Sequence, residues 1–173
     1  GVQTCALPIS FKIDRQLVKQ IKNVMIIAHP DDETLWAGDH IMKDRYLIIC
    51  LTNGNNKIRK KEFEKAMELT GNYGIILNYP DNPKHVKNNW KKVKDPIRND
   101  IDYVLNYKKW DSIVTHNPDG EYGHIQHKFT SMIVTNECVK LGLTGKLEYF
   151  GKFYKTNYLL NHTIPGALDL QDA

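Results

Sequence analysis

The residues best suited to chemistry fall in two short segments, His29-Pro30-Asp31-Asp32-Glu33 and Tyr122-Gly123-His124-Ile125-Gln126-His127. In the first, an imidazole and adjacent carboxylates occupy a turn. Their like charges repel, and nothing in a plain turn requires them. A divalent cation removes that cost, because imidazole nitrogen and carboxylate oxygen are standard zinc ligands. The plainer reading has Asp31 and Asp32 capping a helix whose N-terminal dipole favours negative charge. The second segment sets His124 and His127 three residues apart at the start of a helix, so they share a face. A loop with Asp119, Glu121 and Tyr122 precedes them. Together the segments supply two histidines and a carboxylate with spare acid–base groups beside them. That is the layout of a catalytic metal site with a position open to water.

Those segments need elements to carry them. Asn23 to Ala28 is a short apolar, β-branched run and reads as a buried strand. Asp32 to Lys43 suits a helix, with Leu35, Trp36, Ile41 and Met42 as its apolar residues. Arg45 to Thr52 is a second strand, ended by a turn-like Asn-Gly-Asn-Asn. Phe63, Ala66, Met67 and Thr70 place an amphipathic helix over Ile58 to Thr70, stopped by Gly71. A third strand spans Ile75 to Tyr79, and residues 80–94 read as a long polar loop. Asp95-Pro96 is an N-cap followed by a first-turn proline, and Ile97, Ile101, Val104 and Leu105 form the stripe behind it. Asp111 to Thr115 is a fourth strand. Ile125, Phe129, Met132 and Ile133 mark a further helix ending near Gly142, and Lys146 to Tyr154 a fifth strand. Alternating strands and helices predict an α/β fold: a Rossmann-like three-layer sandwich with a mostly parallel sheet. In such sheets ligands sit at the carboxyl ends of the strands. The stretches Ala28–Glu33 and Thr115–His127, which hold the two chemical segments, each directly follow a strand, so the two can meet on one sheet edge.

Composition narrows the class. The chain has 173 residues, 41% of them hydrophobic, and a net charge of +4. That suits one globular domain and does not by itself call for nucleic acid. The basic clusters at Lys57–Lys65 and Lys84–Lys94 read as solvated surface, or as an attraction for an anionic substrate. Cys5, Cys50 and Cys138 lack paired spacing, which argues against a disulfide scaffold or a thiolate zinc site, and Cys50 is expected in the core. No apolar run approaches a membrane span, and a cytoplasmic location is expected. Residues 1–10 are expected to be a non-native segment, with one domain over 11–173. His40 is expected to be structural; His116, at the end of strand four, is read first as structural, with a supporting role near the site as the alternative, while His85 and His162 carry no assignment. Trp36, Trp90 and Trp110 are expected as core or loop anchors.

The motifs are similar to those of a known family, the PIG-L/LmbE-like deacetylases. This family includes the N-acetylglucosaminyl-phosphatidylinositol de-N-acetylases and the sugar deacetylases of bacterial thiol biosynthesis. Ala28 to Glu33 (AHPDDE) matches its first motif and Tyr122 to His127 (YGHIQH) its second. Arg59-x-x-Glu62-x-x-x-Ala66 with the later Gly71 matches the helix after strand two, and Tyr79-Pro80-Asp81 the aspartate after strand three. The resemblance covers about residues 23–154. It implies that His29, Asp32 and His127 bind zinc, with iron(II) as an alternative, and that Asp31 is the general base. It implies that His124 assists at the oxyanion or the leaving amine, that Tyr122 adds a hydrogen bond, and that Arg59 and Asp81 hold an N-acetylated amino sugar, anionic or glycolipid-borne. Glu33 belongs behind the ligands.

On these roles, neighbouring carboxylates should keep His124 protonated, and Arg59 and Asp81 should flank the pocket mouth rather than the metal. The chain ends at Ala173, earlier than the resemblance suggests, so a C-terminally truncated domain is expected. Two other classes fit part of the pattern. Two histidines and a carboxylate also describe non-haem iron enzymes. A non-catalytic Rossmann-like binding module would need only the helix cap, although a glycine-rich phosphate loop is missing after the first strand.

Overall fold

In a computed structural model, residues 11–81 and 90–151 are described. The expected non-native segment, the centre of the 80–94 loop, and the chain from 152 onward lie outside them. The elements run α1 (Arg15–Val18), β1 (Asn23–Ile27), α2 (Asp32–Lys43), β2 (Tyr46–Thr52), α3 (Lys57–Thr70), β3 (Tyr73–Tyr79), α4 (Lys94–Tyr107), β4 (Ser112–Thr115), α5 (Ile125–Lys140), a 3₁₀ turn (Thr144–Lys146) and β5 (Leu147–Tyr149). The five strands form one sheet in the order β3-β2-β1-β4-β5, and every pairing is parallel. This is the expected Rossmann-like α/β sandwich.

The central strands are apolar along their length because both faces are covered. Val24, Ile26, Leu47 and Ile49 pack with Ile97, Ile101 and Val104 of α4 and Ile133 and Val134 of α5. Met25, Ile27, Ile48 and Cys50 pack on the other face with Ile41 of α2 and Phe63 and Met67 of α3. The order of connections reverses between β1 and β4, so a crevice opens beyond their carboxyl ends. The loops leaving β1 and β4 are the two chemical segments.

Local signals hold most elements in place. The Asn56 side chain caps α3 by accepting from the Ile58 and Arg59 amides. Gly71, at φ 69°, closes α3 in the left-handed conformation. At Gly54 the backbone passes so close to β3 that an added Cβ would lie 2.7 Å from the Leu77 carbonyl oxygen.

Several expectations need correction. Helix α4 begins at Lys94, capped by Val93, so Asp95 lies in its first turn instead of at the N-cap. Pro96 is tolerated there because first-turn amides have no partner within the helix. Leu35 and Met42 are exposed: α2 departs from helical geometry at Ala37 and buries Glu33, Ala37 and Ile41 instead. On α5 the buried face is largely polar, with Gln126, His127, Thr130, Ser131 and Glu137 inside, while Ile125 and Met132 face outward. His40 lies on the exposed side of α2. Trp90 and Trp110 are fully buried anchors, and Trp36 sits at the crevice. Among the described residues no helix is long and apolar enough to cross a membrane.

Candidate metal centre

The chain after β1 is pinned on both sides. Ala28 donates its amide to His116 Nε2 at 3.0 Å, and its carbonyl accepts from the Thr52 amide and hydroxyl. This fixes the start of the turn that follows. His29 then turns in, and its own amide donates to Asp32 Oδ2 at 2.8 Å. From the other side, α5 brings His127 down onto the same point. His29 Nδ1 lies 3.1 Å from His127 Nε2 and 3.4 Å from Asp32 Oδ2, and His127 Nε2 lies 3.3 Å from Asp32 Oδ1. Ligands of a tetrahedral ion at 2.0–2.2 Å stand about 3.3–3.6 Å apart.

Among the described residues two sets of three donors fall within 4.8 Å of one another: His29, His124 and His127, and Asp32, His116 and His127. Hydrogen bonds on the far ring nitrogens decide which lone pairs are free. Gln126 Oε1 lies 2.8 Å from His29 Nε2. The Gln126 amide nitrogen must face the Pro80 carbonyl, an acceptor, at 2.9 Å, so its oxygen faces His29. That places the His29 proton on Nε2 and frees Nδ1. Glu121 Oε2 lies 2.6 Å from His127 Nδ1, which frees Nε2. At His116 the Ala28 amide occupies Nε2, and Nδ1 donates to Glu121 at 3.1 Å. At His124 the Gln126 amide occupies Nδ1 at 3.3 Å, leaving Nε2 as a donor. His29, His127 and Asp32 are therefore the groups whose unshared pairs face one another.

Electron pairs in that arrangement require a cation between them. In the protein alone a proton serves. Burial opposes charge on His29, yet Asp32 and Asp81 raise its pKa to about 10. Burial likewise opposes charge on Asp32, but His116 and His29 hold it well below the usual carboxylate range. A divalent ion meets the same demand with two charges, and the donor set fits one.

The His124 expectation needs correction. Burial first, then His29 and His127, lower its pKa to about 4. Its Nδ1 caps α5, where the helix dipole also disfavours a cation. His124 is therefore a neutral ring offering an Nε2–H, not an imidazolium held by carboxylates. Around His116, burial opposes charge while Asp32 and Glu121 raise its pKa. Its Nε2 faces both the Ala28 amide at 3.0 Å and Asp32 Oδ2 at 3.2 Å.

The remaining site residues surround a cleft of about 300 Å³ lined by His29, Asp31, Arg59, Asp81, Tyr122 and His124 among others. Asp31 sits beside the cluster with a strained backbone, φ 124°. Its Oδ2 receives Arg59 Nη2 at 2.9 Å, and Arg59 also binds Glu62 Oε2 at 2.6 Å and the Pro30 carbonyl. Asp81 Oδ1 lies 3.4 Å from His29 Nε2, and Oδ2 accepts from Asn53 at 3.0 Å. Both residues line the cleft, Arg59 in contact with Asp31 and Asp81 beside His29. Tyr122 is exposed, its ring 5.6 Å from His127 and 6.0 Å from Trp36. Glu33 is buried and accepts the Asp31 amide.

Sequence reasoning missed the orienting role of Glu121 and Gln126. Glu121 carries a signal, since it lies six residues before His127, its partner; Gln126 carries none, since its partner His29 is 97 residues away.

A parallel sheet with a two-histidine, one-carboxylate cluster at its switch point defines an α/β protein with a candidate metal site. More specifically, the chain belongs to the PIG-L family, described as GlcNAc-PI de-N-acetylase, whose profile matches residues 24–138. It is also similar to an uncharacterised protein of Acanthamoeba polyphaga mimivirus, 34% identical over 128 residues. That stretch covers 64% of this chain and 55% of the viral protein's length.

Proposed function

We propose that this chain is a zinc-dependent N-deacetylase acting on an N-acetylglucosamine-type amino sugar or its conjugate, with iron(II) as the alternative metal. The observation that carries this is the convergence of three unshared electron pairs, on His29 Nδ1, His127 Nε2 and Asp32, within 3.1–3.4 Å. His29, Asp32 and His127 would hold the ion. An ion there supplies Lewis acidity, lowering the pKa of water from about 15.7 towards about 7 and polarising the acetyl carbonyl.

The protein's residues do the rest. Asp31, beside the cluster but outside it, accepts the proton of the attacking water. Arg59 holds Asp31 in position. The Nε2–H of His124 donates to the oxygen that becomes negative in the tetrahedral state. Because His124 is neutral, Asp31 returns its proton to the amine as the carbon–nitrogen bond breaks, giving acetate and a free amino sugar. Tyr122 adds a donor at the cleft wall. Arg59 and Asp81 present a cation and an acceptor to the sugar hydroxyls. The test strips the protein with chelator, reloads it with zinc or iron(II), and follows amine release from N-acetylglucosamine and its glycosides. Metal-dependent release is expected. A protein that binds neither ion, or binds one and releases no amine from any of these substrates, would overturn the proposal.

A further inference from the structure

The three tryptophans of this chain use their indole N–H groups differently. A buried indole N–H needs an acceptor. Trp90 donates to the Pro80 carbonyl at 2.6 Å and Trp110 to the Val104 carbonyl at 2.9 Å, as anchors tied to the backbone. Trp36 instead donates to a side chain, Oδ1 of Asp32, at 3.3 Å. Asp32 is one of the three groups whose electron pairs converge in the metal centre. Trp36 is half-buried and lines the cleft, its ring 6.0 Å from that of Tyr122.

Sequence position explains the reach. Asp32 and Trp36 stand four residues apart in α2, so their side chains share a face, and helical geometry is lost only at Ala37. The contact matters because the terminal torsion of an aspartate is soft, with a broad and roughly two-fold profile. Oδ2 is held on its own side by the His29 amide at 2.8 Å, with His116 Nε2 at 3.2 Å. Oδ1 stands 3.3 Å from His127 Nε2, but that nitrogen carries a lone pair, since Nδ1 donates to Glu121. The two electron-rich atoms repel each other, and the indole N–H is the donor that steadies Oδ1. One N–H on each oxygen fixes the plane of the carboxylate. The pairs left over face His29 Nδ1 and His127 Nε2.

We propose that Trp36 is a positioning residue for the metal centre, its indole N–H fixing the carboxylate plane of Asp32 for coordination. The inference rests on the metal-dependent reading of this site and adds to it a side chain from outside the ligand set. Trp36 acts through Asp32 and is not itself a ligand. Hydrogen bonds of this kind, made to a ligand from behind, change metal affinity by about 10–100-fold.

The test separates the N–H from the ring. Trp36→Phe keeps a ring and removes the donor. Trp36→Gln removes the ring and keeps a donor, since a glutamine amide reaches an aspartate four residues away on a helix. Zinc affinity is measured by competition with a chromophoric chelator, and the visible spectrum of the cobalt(II)-loaded proteins reports ligand geometry. Urea unfolding of the metal-free proteins shows that each variant folds. Trp36→Phe should weaken zinc binding by about tenfold or more and shift the cobalt bands. Trp36→Gln should stay within about threefold of wild type and keep those bands. If Trp36→Phe melts early, Trp36→Leu takes its place as the variant without a donor. The reverse order, with affinity and bands kept by the donorless variant and lost by Trp36→Gln, would make the ring a packing element and overturn the proposal. Equal losses in both variants, or none in either, would overturn it too. A wild-type protein that takes up neither zinc nor cobalt would instead overturn the metal centre itself.

Discussion

Glu121 offers the sharpest test of how the centre is built. Its carboxylate is fully buried and receives three N–H groups: His127 Nδ1 at 2.6 Å, His116 Nδ1 at 3.1 Å and the Asn117 amide at 2.7 Å. Burial alone would raise its pKa, but His116 and His127 lower it to about 2. In Glu121→Gln the shape is kept, but one end becomes a donor. If the amide oxygen stays on Asn117, the NH₂ faces both rings and drives their protons to Nε2. His127 then points a proton, not a lone pair, at Asp32 and His29, and His116 meets the Ala28 amide donor to donor. If the amide is reversed, the NH₂ meets the Asn117 amide instead. Either way at least one buried donor goes unsatisfied, which costs about 1–3 kcal/mol. Loss of an orienting acceptor also weakens metal binding by about 10–100-fold. The assays are zinc affinity by competition with a chromophoric chelator, and urea unfolding of the metal-free protein. A zinc Kd within about threefold of wild type, well short of the expected loss, together with an unchanged urea midpoint, would refute the tautomer reasoning.

Three further outcomes are expected. Asp32→Asn should lose metal affinity and recover activity in part with excess zinc, since a neutral amide is a poorer ligand. Asp31→Asn should retain zinc yet lose about 10²–10⁴ in kcat without rescue. Metal content and kcat of both variants check this, and loss of zinc by Asp31→Asn would reverse the two roles. Zinc at 100 times its Kd should stabilise the folded chain by about 2.7 kcal/mol, read as a denaturation midpoint that falls on chelation; a midpoint indifferent to zinc would speak against a site present only in the fold. Gly54→Ala should destabilise by about 1–3 kcal/mol, because its Cβ would meet the Leu77 carbonyl oxygen at 2.7 Å. Urea unfolding measures it, and an unchanged midpoint would mean β2 and β3 can separate there at no cost.

Sequence alone determined the fold class, because a buried parallel strand needs apolar residues on both faces and leaves unbroken runs such as Val24–Ala28 and Leu47–Leu51. It also marked where a site should be sought, because charged residues directly after such runs need something to hold them. The apolar stripe of α4 was equally legible, since Ile97, Ile101, Val104 and Leu105 follow the helical period and all are buried. The face of α5 was not. A rule that seeks apolar periodicity turns Ile125 and Met132 inward, whereas the cleft needs Gln126 and His127 there, with Glu121 behind them. Spacing could group His29, Asp32, His124 and His127 but could not rank them. What ranks them is which ring nitrogen is already taken, and that depends on amides and carboxyls from other parts of the chain. Ala28 at the end of β1 takes His116, Gln126 on α5 orients His29, and Glu121 in the loop after β4 orients His127. Hydrogen bonds of this kind act over 2.6–3.0 Å, and only tertiary structure brings groups up to 97 residues apart to that distance.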